Sequence, residues 1–308
     1  MSLLITGGSG FIGSTLTESL IEKGWNVIIA DNRPLQRLED DGRVTQIIGD
    51  LRKQHILEEA LSYEPEGIIH LAAVSRVIDA EKDKKRCRQI NDLMTRSIID
   101  KSLEMEISPW LIYGSSREVY GEQENIPVSE SCNHRPINIY GVCKQRSEEY
   151  VRDYCVNESK GMVLRFSNVY GNEYDILDRV IPRFIINAMN GEKLTINGGS
   201  QIFDFTNIED TLNGIVLAID NVRRENTRYF DHLHLLTGHG TTLQNLAAIV
   251  SENVGDDVDI DYEEARDYDV NRFIGNPTKA NMVIGFKAKV SIEEGIRTTM
   301  STYMEVGL

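Results

Sequence analysis

The sequence predicts an α/β fold: a Rossmann-type doubly wound parallel sheet with a smaller C-terminal α/β lid that binds substrate. Three observations predict it. A glycine-rich turn follows the first apolar run, short apolar runs alternate with helix-like segments, and this alternation breaks down after about residue 170 of the 308. We therefore expect residues 1–170 to form the dinucleotide-binding domain, with segments around 202–240 returning to it. Residues 171–308 should form mainly the substrate-binding domain.

The chain begins with a predicted strand, glycine turn and helix. Residues 3–5 form the apolar run typical of a buried parallel strand, and segment 6–13 reads Thr-Gly-Gly-Ser-Gly-Phe-Ile-Gly. Glycines lack Cβ atoms and a helix N-terminus presents free backbone N–H groups, so this turn can hold a pyrophosphate. The turn residues predicted to bind a dinucleotide are Gly7, Gly10, Phe11, Ile12 and Gly13.

The second predicted strand, 27–30, ends at an acidic residue, Asp31. A carboxylate at this point can bind both hydroxyls of an adenosine ribose, which disfavours a 2′-phosphate. We therefore predict NAD as the cofactor, with Asp31 and the adjacent Asn32 in its site. Arg33 and Arg37 leave NADP as an alternative, because either guanidinium can bind a phosphate.

The alternation continues along the chain. Further strands are predicted at 45–48, 67–70, 110–113 and 162–166, and helices at 54–61, 84–105 and 139–154. Beyond residue 170, we expect helices at 180–189 and 208–219 and extended pieces at 193–196 and 202–205. In a doubly wound sheet, ligands bind beyond the carboxyl ends of the strands.

Tyr140 and Lys144 lie four residues apart in the predicted helix 139–154. This spacing puts both side chains on one helical face. A free tyrosine has a pKa near ~10, and a neighbouring ammonium favours the phenolate and lowers that pKa. The pair is therefore predicted to take a proton from an alcohol while hydride leaves its carbon. Two solvated side chains would be the ordinary interpretation of this spacing, and the glycine turn and Asp31 argue against it.

Composition excludes several other classes of protein. Basic residues number 33 and acidic residues 48, giving a net charge of −15, which argues against nucleic acid and anionic membranes as partners. The cysteines at 87, 132, 143 and 155 have neither C-x-x-C nor zinc spacing and are expected to be reduced thiols. No apolar run approaches the ~20 residues of a membrane span. The first residues lack a basic n-region and enter a predicted strand at once, so we expect no signal peptide. We expect a cytoplasmic protein without a metal.

These features carry a resemblance to the extended short-chain dehydrogenase/reductases, in particular to the nucleotide-sugar epimerase and dehydratase group that includes UDP-glucose 4-epimerase-like proteins. The resemblance covers nearly the whole length. Its landmarks are segment 6–13, Asp31, Gly49-Asp50-Leu51, His70-Leu71-Ala72-Ala73, Asn91, Ser-Ser-Arg-Glu-Val-Tyr-Gly at 115–121, Tyr140 with Lys144, and Leu-Arg-Phe-Ser-Asn-Val-Tyr-Gly at 164–171.

The resemblance implies roles for individual residues. Ser116 would hydrogen-bond the sugar 4-hydroxyl, Tyr140 would remove its proton, and Lys144 would hold the nicotinamide ribose. Further cofactor contacts are implied for Asp50, Leu51, Leu71, Ala72, Ala73 and Asn91. Substrate contacts are implied for Ser115, Ser116, Arg117, Asn168, Arg183, Arg266 and Arg272. The implied substrate is a nucleotide sugar, with a UDP-sugar favoured, and the expected assembly is a homodimer packed through helices 84–105 and 139–154.

The outcome of the reaction is decided after C4 of the sugar has been oxidised. Return of hydride to the other face gives a 4-epimerase, which we take as the leading interpretation. Removal of the C5 proton, acidified by the new ketone, leads instead to a 4,6- or 5,6-type dehydratase. Glu118 is a fourth candidate catalytic residue. Similar dehydratases and decarboxylases carry a glutamate there, whereas simple 4-epimerases usually do not, and a carboxylate there could serve as this base.

Two further outcomes and one competing role for Glu118 stay open. Arg117 stands where those dehydratases place an aspartic acid, and an arginine does not readily release its proton. Glu118 then has an alternative role as a carboxylate paired with Arg117 or Lys144. A 4-keto reductase and a non-catalytic dinucleotide-sensing protein remain as further alternatives.

Phe203 is a second departure from the family pattern. The epimerases carry an arginine at this position to bind the substrate diphosphate, whereas this chain reads Phe-Asp-Phe at 203–205. Arg266 and Arg272 match later basic positions of the family and are candidates to compensate, and Arg179 and Arg183 are further candidates. The phenyl ring is expected to fill the core of the lid rather than to stack on a nucleotide base.

Overall fold

The computed structural model describes residues 2–35, 42–255, 258–264, 268 and 270–308. Strands and helices alternate through residue 166. The strands are β1 (Ser2–Thr6), β2 (Asn26–Asp31), β3 (Val44–Ile48), β4 (Gly67–His70), β5 (Trp110–Ser116) and β6 (Lys160–Phe166). The helices are α1 (Phe11–Glu22), α2 (Gln54–Leu61), α3 (Val77–Lys82), α4 (Lys84–Arg88), α5 (Met94–Ser102) and α6 (Ile139–Asn157).

Shorter strands dominate the remainder of the chain. They are β7 (Asn168–Tyr170), β8 (Leu194–Asn197), β9 (Ile202–Phe203), β10 (Phe205–Asn207), β11 (Tyr229–Leu235), β12 (Thr241–Thr242), β13 (Ile260–Glu263) and β14 (Arg272–Phe273). The helices are α7 (Val180–Met189), α8 (Ile208–Arg224), α9 (Leu243–Val254), α10 (Thr278–Ile284) and α11 (Ile292–Val306).

Seven parallel strands form the central sheet, in the order β3-β2-β1-β4-β5-β6-β11. The strand order reverses between β1 and β4, where Leu4 pairs with Ile28 on one side and Ile68 on the other. Such a reversal opens a crevice at the carboxyl ends of the strands. The predicted Rossmann-type doubly wound sheet is therefore confirmed, with β11 added at its edge.

Helices cover both faces of the sheet because successive strand residues point in opposite directions. Leu3 and Ile5 of β1 belong to a core cluster that includes α1, α8 and α10. Leu4, between them, belongs to the cluster on the other face, with α2, α5 and α6. A third cluster lies in the later part of the chain and joins α7, α9 and α11 with β8 and β10.

The predicted helix 84–105 is shorter than expected and not uniform. It begins at Lys84, where the Asp83 side chain accepts a hydrogen bond from the Arg86 backbone N–H at 2.9 Å. Its middle, Gln89–Leu93, is a π-helical turn, and the helix ends at Ser102.

The expected extended piece 202–205 is divided into β9 and β10 at Asp204. The buried Asp204 carboxylate accepts hydrogen bonds from the backbone N–H groups of Thr237 and Gly238 at 3.0 and 2.8 Å and from the Thr237 hydroxyl at 2.7 Å. Burial raises the pKa of Asp204 to about 6. These hydrogen bonds to distant residues fix Asp204 in a position that interrupts the strand between β9 and β10.

None of the four cysteines, all within the described residues, forms a disulfide. In the part of the chain that the structure describes, no helix combines the length and the apolar character that a membrane span requires.

Candidate active site

A cavity of about 730 Å³ lies at the carboxyl ends of the central strands and continues under the later segments of the chain. It brings together most of the residues singled out from the sequence. The predicted residues that line it are Gly7, Gly10, Phe11, Ile12, Gly13, Asp31, Asn32, Asp50, Leu51, Leu71, Ala72, Ala73, Ser115, Ser116, Arg117, Glu118, Tyr140, Lys144, Asn168 and Arg183.

The glycine turn has the geometry that close approach of a pyrophosphate requires. Gly7 has a φ of +74°, and a Cβ at Gly13 would lie 2.1 Å from the Gly7 carbonyl oxygen, so neither position tolerates a side chain. Gly10 precedes α1, and no side chain caps the free backbone N–H groups of that helix. An anion can therefore be bound there by the helix N-terminus.

Asp31 is held in place at the end of β2. Its Oδ2 accepts a hydrogen bond from the Ser9 backbone N–H at 3.1 Å, and its Oδ1 accepts one from that of Arg33 at 3.3 Å. A carboxylate fixed beside the glycine turn matches the ribose of a dinucleotide. The residues present therefore fit NAD, with the turn around Gly10 holding the pyrophosphate and Asp31 the adenosine ribose.

Tyr140 and Lys144 lie on one face of α6, as the spacing predicts. The helix begins after Asn138, whose Oδ1 accepts a hydrogen bond from the Gly141 backbone N–H at 2.8 Å. A Cβ at Gly141 would lie 2.4 Å from the Glu118 carbonyl oxygen, so glycine allows α6 to pack directly against segment 116–118. This close approach brings Tyr140 beside Ser116.

The charge of the pair differs from the prediction. Burial raises the pKa of Tyr140 to about 12, and hydrogen bonding with Ser116 opposes this rise. Burial also lowers the pKa of Lys144 to about 8. The predicted lowering of the tyrosine pKa by Lys144 is therefore wrong for this structure. The lysine Nζ donates to the Gly114 carbonyl at 2.6 Å and lies 5.8 Å from the Tyr140 ring centroid.

Glu118 has both carboxylate oxygens engaged. Its Oε1 lies 3.0 Å from Arg117 Nη2, and its Oε2 accepts a hydrogen bond from Asn138 Nδ2 at 2.7 Å. The Arg117 guanidinium lies over the Phe203 ring, 4.7 Å from its centroid. Of the two roles considered for Glu118, this geometry matches the carboxylate paired with Arg117.

Phe203 lines the cavity and also packs against the third core cluster. Its ring meets Phe205 edge-on, with centroids 6.2 Å apart. The expected core role is thus observed, together with the unexpected contact with Arg117.

Three predicted site residues are positioned or hydrogen-bonded differently from what their expected roles require. Asn91 does not line the cavity, because its amide exchanges hydrogen bonds with the Val74 backbone at 2.7 and 2.9 Å. Arg272 is exposed at β14, outside the lining residues. Ser115 lines the cavity, yet its hydroxyl is bonded to Glu148 at 2.5 Å, which leaves no free proton for substrate. Arg37 and Arg266 lie outside the described residues.

Asn168 and Arg183 remain placed to meet a ligand. Asn168 lines the cavity, and its Nδ2 is buried without a hydrogen-bond partner among the described residues. Arg183 Nη2 donates to the Thr195 carbonyl at 3.2 Å, which holds the guanidinium at the cavity wall.

Two supporting residues escaped the sequence analysis. Asn138 caps α6 and holds Glu118, and its position just before the helix was a usable signal, since asparagine is a favoured N-cap. Glu148 lies one turn beyond Lys144 and is bound by Arg165, with Nη2 to Oε2 at 2.6 Å. The described residues contain no cluster of three or more metal-ligating side chains.

Fold and site together define a dinucleotide-dependent α/β enzyme with a tyrosine–lysine pair. The family model of the NAD dependent epimerase/dehydratase family matches residues 3–230. The chain therefore belongs to this family, and NAD is its cofactor.

Individual relatives agree with this assignment. A UDP-glucose 4-epimerase of Rhizobium meliloti (strain 1021) is 25% identical over 309 residues, covering 94% of this chain and 93% of that protein. The crystal structure of UDP-glucose 4-epimerase with UDP-glucose from Thermotoga maritima has a TM-score of 0.91 at 29% identity and covers 100% of both chains. The structure of MoeE5 with UDP-glucuronic acid and NAD has a TM-score of 0.91 at 28% identity, again covering 100% of both.

Proposed function

We propose that this protein is a UDP-sugar 4-epimerase that works through a 4-keto-sugar intermediate. The observation that carries the proposal is the convergence of Ser116, Tyr140 and Lys144 in the cavity that also contains the glycine turn and Asp31. The UDP-sugar complexes of the Thermotoga maritima epimerase and of MoeE5 support the class of substrate.

The chain's own residues account for the proton transfers. NAD, when bound, supplies a reversible hydride acceptor. Ser116 holds the sugar 4-hydroxyl by a hydrogen bond, and the Tyr140 oxygen takes its proton and returns it after the sugar has turned over. The Ser116 hydrogen bond favours the phenolate against the effect of burial, and Lys144 Nζ lies 5.8 Å from the Tyr140 ring centroid. Enclosure of both groups excludes bulk water from the reacting alcohol.

The engagement of Glu118 favours epimerisation over dehydration. A C5 base needs a lone pair directed at the substrate, whereas both oxygens of this carboxylate have donors in Arg117 and Asn138. The Arg117 guanidinium also cannot act as an acid toward a leaving 6-hydroxyl. A 4-keto reductase and a silent dinucleotide sensor have no specific observation in their favour.

The test is product analysis by NMR. The purified protein is incubated with UDP-glucose and UDP-N-acetylglucosamine in D₂O, and we expect the 4-epimers to form without deuterium at C5. Deuterium at C5 or loss of the 6-hydroxyl would overturn epimerisation in favour of dehydration. Consumption of added NADH would indicate a reductase, and inertness toward both sugars despite NAD binding would indicate a sensor.

A variant at Tyr140 tests the proposed base. Tyr140→Phe should lower kcat by about 10²–10⁴-fold, the usual contribution of a general base, with little change in KM. Tyr150→Phe on the same helix is the matched control, since its hydroxyl only accepts a bond from Arg146 at 3.2 Å. Full turnover by Tyr140→Phe would refute the role of the phenol.

We also propose a cytoplasmic homodimer packed through the α4–α5 region and α6. The apolar side chains of Leu93 and Val156, 49% and 53% exposed on these elements, support such an interface. Light scattering tests it: a monomeric mass at about 10 μM, a concentration at which moderately tight dimers persist, would contradict the proposal.

A further inference from the structure

Arg117 and Glu118 form a buried ion pair in the wall of the cavity. Their side chains keep only 10% and 6% of their surface exposed. Both residues directly follow Ser116, where we propose that the sugar 4-hydroxyl binds, and both line the cavity. Substituents on the sugar carbons next to C4 are the groups that this pair is placed to meet.

The arginine is held rigidly from several sides. Its guanidinium lies over two aromatic rings, 4.7 Å from the centroid of Phe203 and 5.7 Å from that of Phe273. Asn138 holds the far oxygen of Glu118, which fixes the carboxylate against the arginine. A side chain fixed in this way discriminates between ligands more sharply than a mobile one.

One donor of this arginine is not used. Arg117 Nη1 is buried and has no hydrogen-bond partner in the described part of the chain. A buried N–H without an acceptor is unfavourable, so an oxygen from a ligand that accepts this bond gains binding energy. Because Arg117 lines the cavity beside Ser116, a substrate oxygen that reaches Nη1 would supply the missing acceptor.

The charge balance of the pair decides which acceptor it favours. Arg117 and Glu118 neutralise each other, so a carboxylate on the ligand would add an unmatched negative charge beside Glu118. A hydroxyl oxygen accepts the same hydrogen bond without that repulsion. Building on the proposed function, we propose that this pair selects UDP-hexoses whose C5 substituent is an uncharged hydroxymethyl group and discriminates against the corresponding uronic acids.

The test measures binding separately from turnover. NAD-loaded protein carrying Tyr140→Phe is titrated calorimetrically with UDP-glucose and with UDP-glucuronic acid. We expect tighter binding of UDP-glucose. Adding Glu118→Gln, which keeps the shape of the side chain and removes its charge, should shift the ratio of the two Kd values toward the uronic acid by about tenfold or more, as expected for removal of one nearby buried like charge.

A double substitution separates charge from shape. Arg117→Gln with Glu118→Gln restores a neutral pair, so the Kd ratio should return to within about threefold of the parent value. Exposed Glu124→Gln serves as the control for total charge and should leave the ratio unchanged.

Two results would overturn the inference: tighter binding of UDP-glucuronic acid by the parent, or a Kd ratio that Glu118→Gln leaves within about twofold of the parent ratio. The binding assay does not depend on catalysis. A protein that binds with the expected preference yet forms no epimer would overturn the proposed function and leave this inference standing. A protein that epimerises without the preference would do the opposite.

Discussion

Replacing Lys144 with methionine should remove a pH-dependent part of the folding stability of the cofactor-free protein. The lysine side chain is 3% exposed, and its Nζ has the Gly114 carbonyl as a hydrogen-bond partner at 2.6 Å. Burial without a full set of partners disfavours the ammonium, which is why its pKa falls from 10.5 to about 8.

The sign and size of the effect follow from proton binding. Between about pH 8 and 10.5 the unfolded chain keeps the lysine proton and the folded protein does not, so this group makes the free energy of unfolding rise with pH. The penalty is fully present below pH 8 and is relieved as pH approaches 10.5. Its full size is ~3.4 kcal/mol, of which ~2 kcal/mol is relieved between about pH 7 and about pH 9.5.

Urea unfolding at a series of pH values measures this effect. Buried tyrosines and cysteines such as Cys155, whose pKa burial raises to about 12, act in the opposite direction. They are common to both proteins, so the difference between wild type and Lys144→Met isolates the lysine. That difference should change by ~2 kcal/mol over this range, whereas exposed Lys23→Met should run parallel to wild type. Parallel curves for wild type and Lys144→Met would refute the reasoning.

Two other perturbations test the scaffold around the site. Gly141→Ala places a Cβ 2.4 Å from the Glu118 carbonyl oxygen, so it should destabilise the protein by ~1–3 kcal/mol in urea unfolding and lower kcat more than it raises KM. The control, exposed Glu149→Ala on the same helix, should change neither stability nor kcat. Unchanged turnover by Gly141→Ala would contradict the close packing. Burial lowers the pKa of His70 from 6.5 to about 3, so its contribution to stability is present above pH 6.5 and is lost as pH falls toward 3. His70→Gln should lessen the loss between about pH 6.5 and 4.5 by ~2–3 kcal/mol relative to wild type and to exposed His55→Gln, and equal losses in all three would refute this.

The first half of the fold could be predicted because its local patterns match its tertiary structure. A strand buried on both faces is a short continuous apolar run, and 27–30 has this pattern without regard to distant partners. The later segments lack such a signal. Strand β9 has two residues, and it exists because Ile202 pairs with Thr242 on one side and Arg272 on the other. Pairings between residues so far apart in the chain produce no hydrophobic periodicity from which they could be predicted.

The site shows the same division between local motif and distant partner. The glycine turn and the Tyr140–Lys144 spacing are local, so their positions in the cavity were predictable. The resemblance placed Asn91 at the cofactor, whereas its amide bonds to the Val74 backbone. The residue type alone does not distinguish these two roles. The direction of the Tyr140 pKa depended on burial, and neighbour spacing alone does not report burial.

Arg117 departs from the dehydratase pattern and Phe203 from the epimerase pattern, and the structure brings these two side chains into contact. An arginine at position 203 would put a second cation where the phenyl ring now lies 4.7 Å from the Arg117 guanidinium. Two guanidiniums at that distance would repel each other, whereas an aromatic face attracts a cation. An arginine at 117 and a phenylalanine at 203 are therefore mutually compatible. The Arg117 charge lies in the cavity wall beside Ser116, where Glu118 neutralises it. A charge paired in this way is poorly suited to binding a diphosphate. If the substrate is a UDP-sugar as proposed, Arg183 and Asn168 in the cavity wall are the candidate donors to its diphosphate.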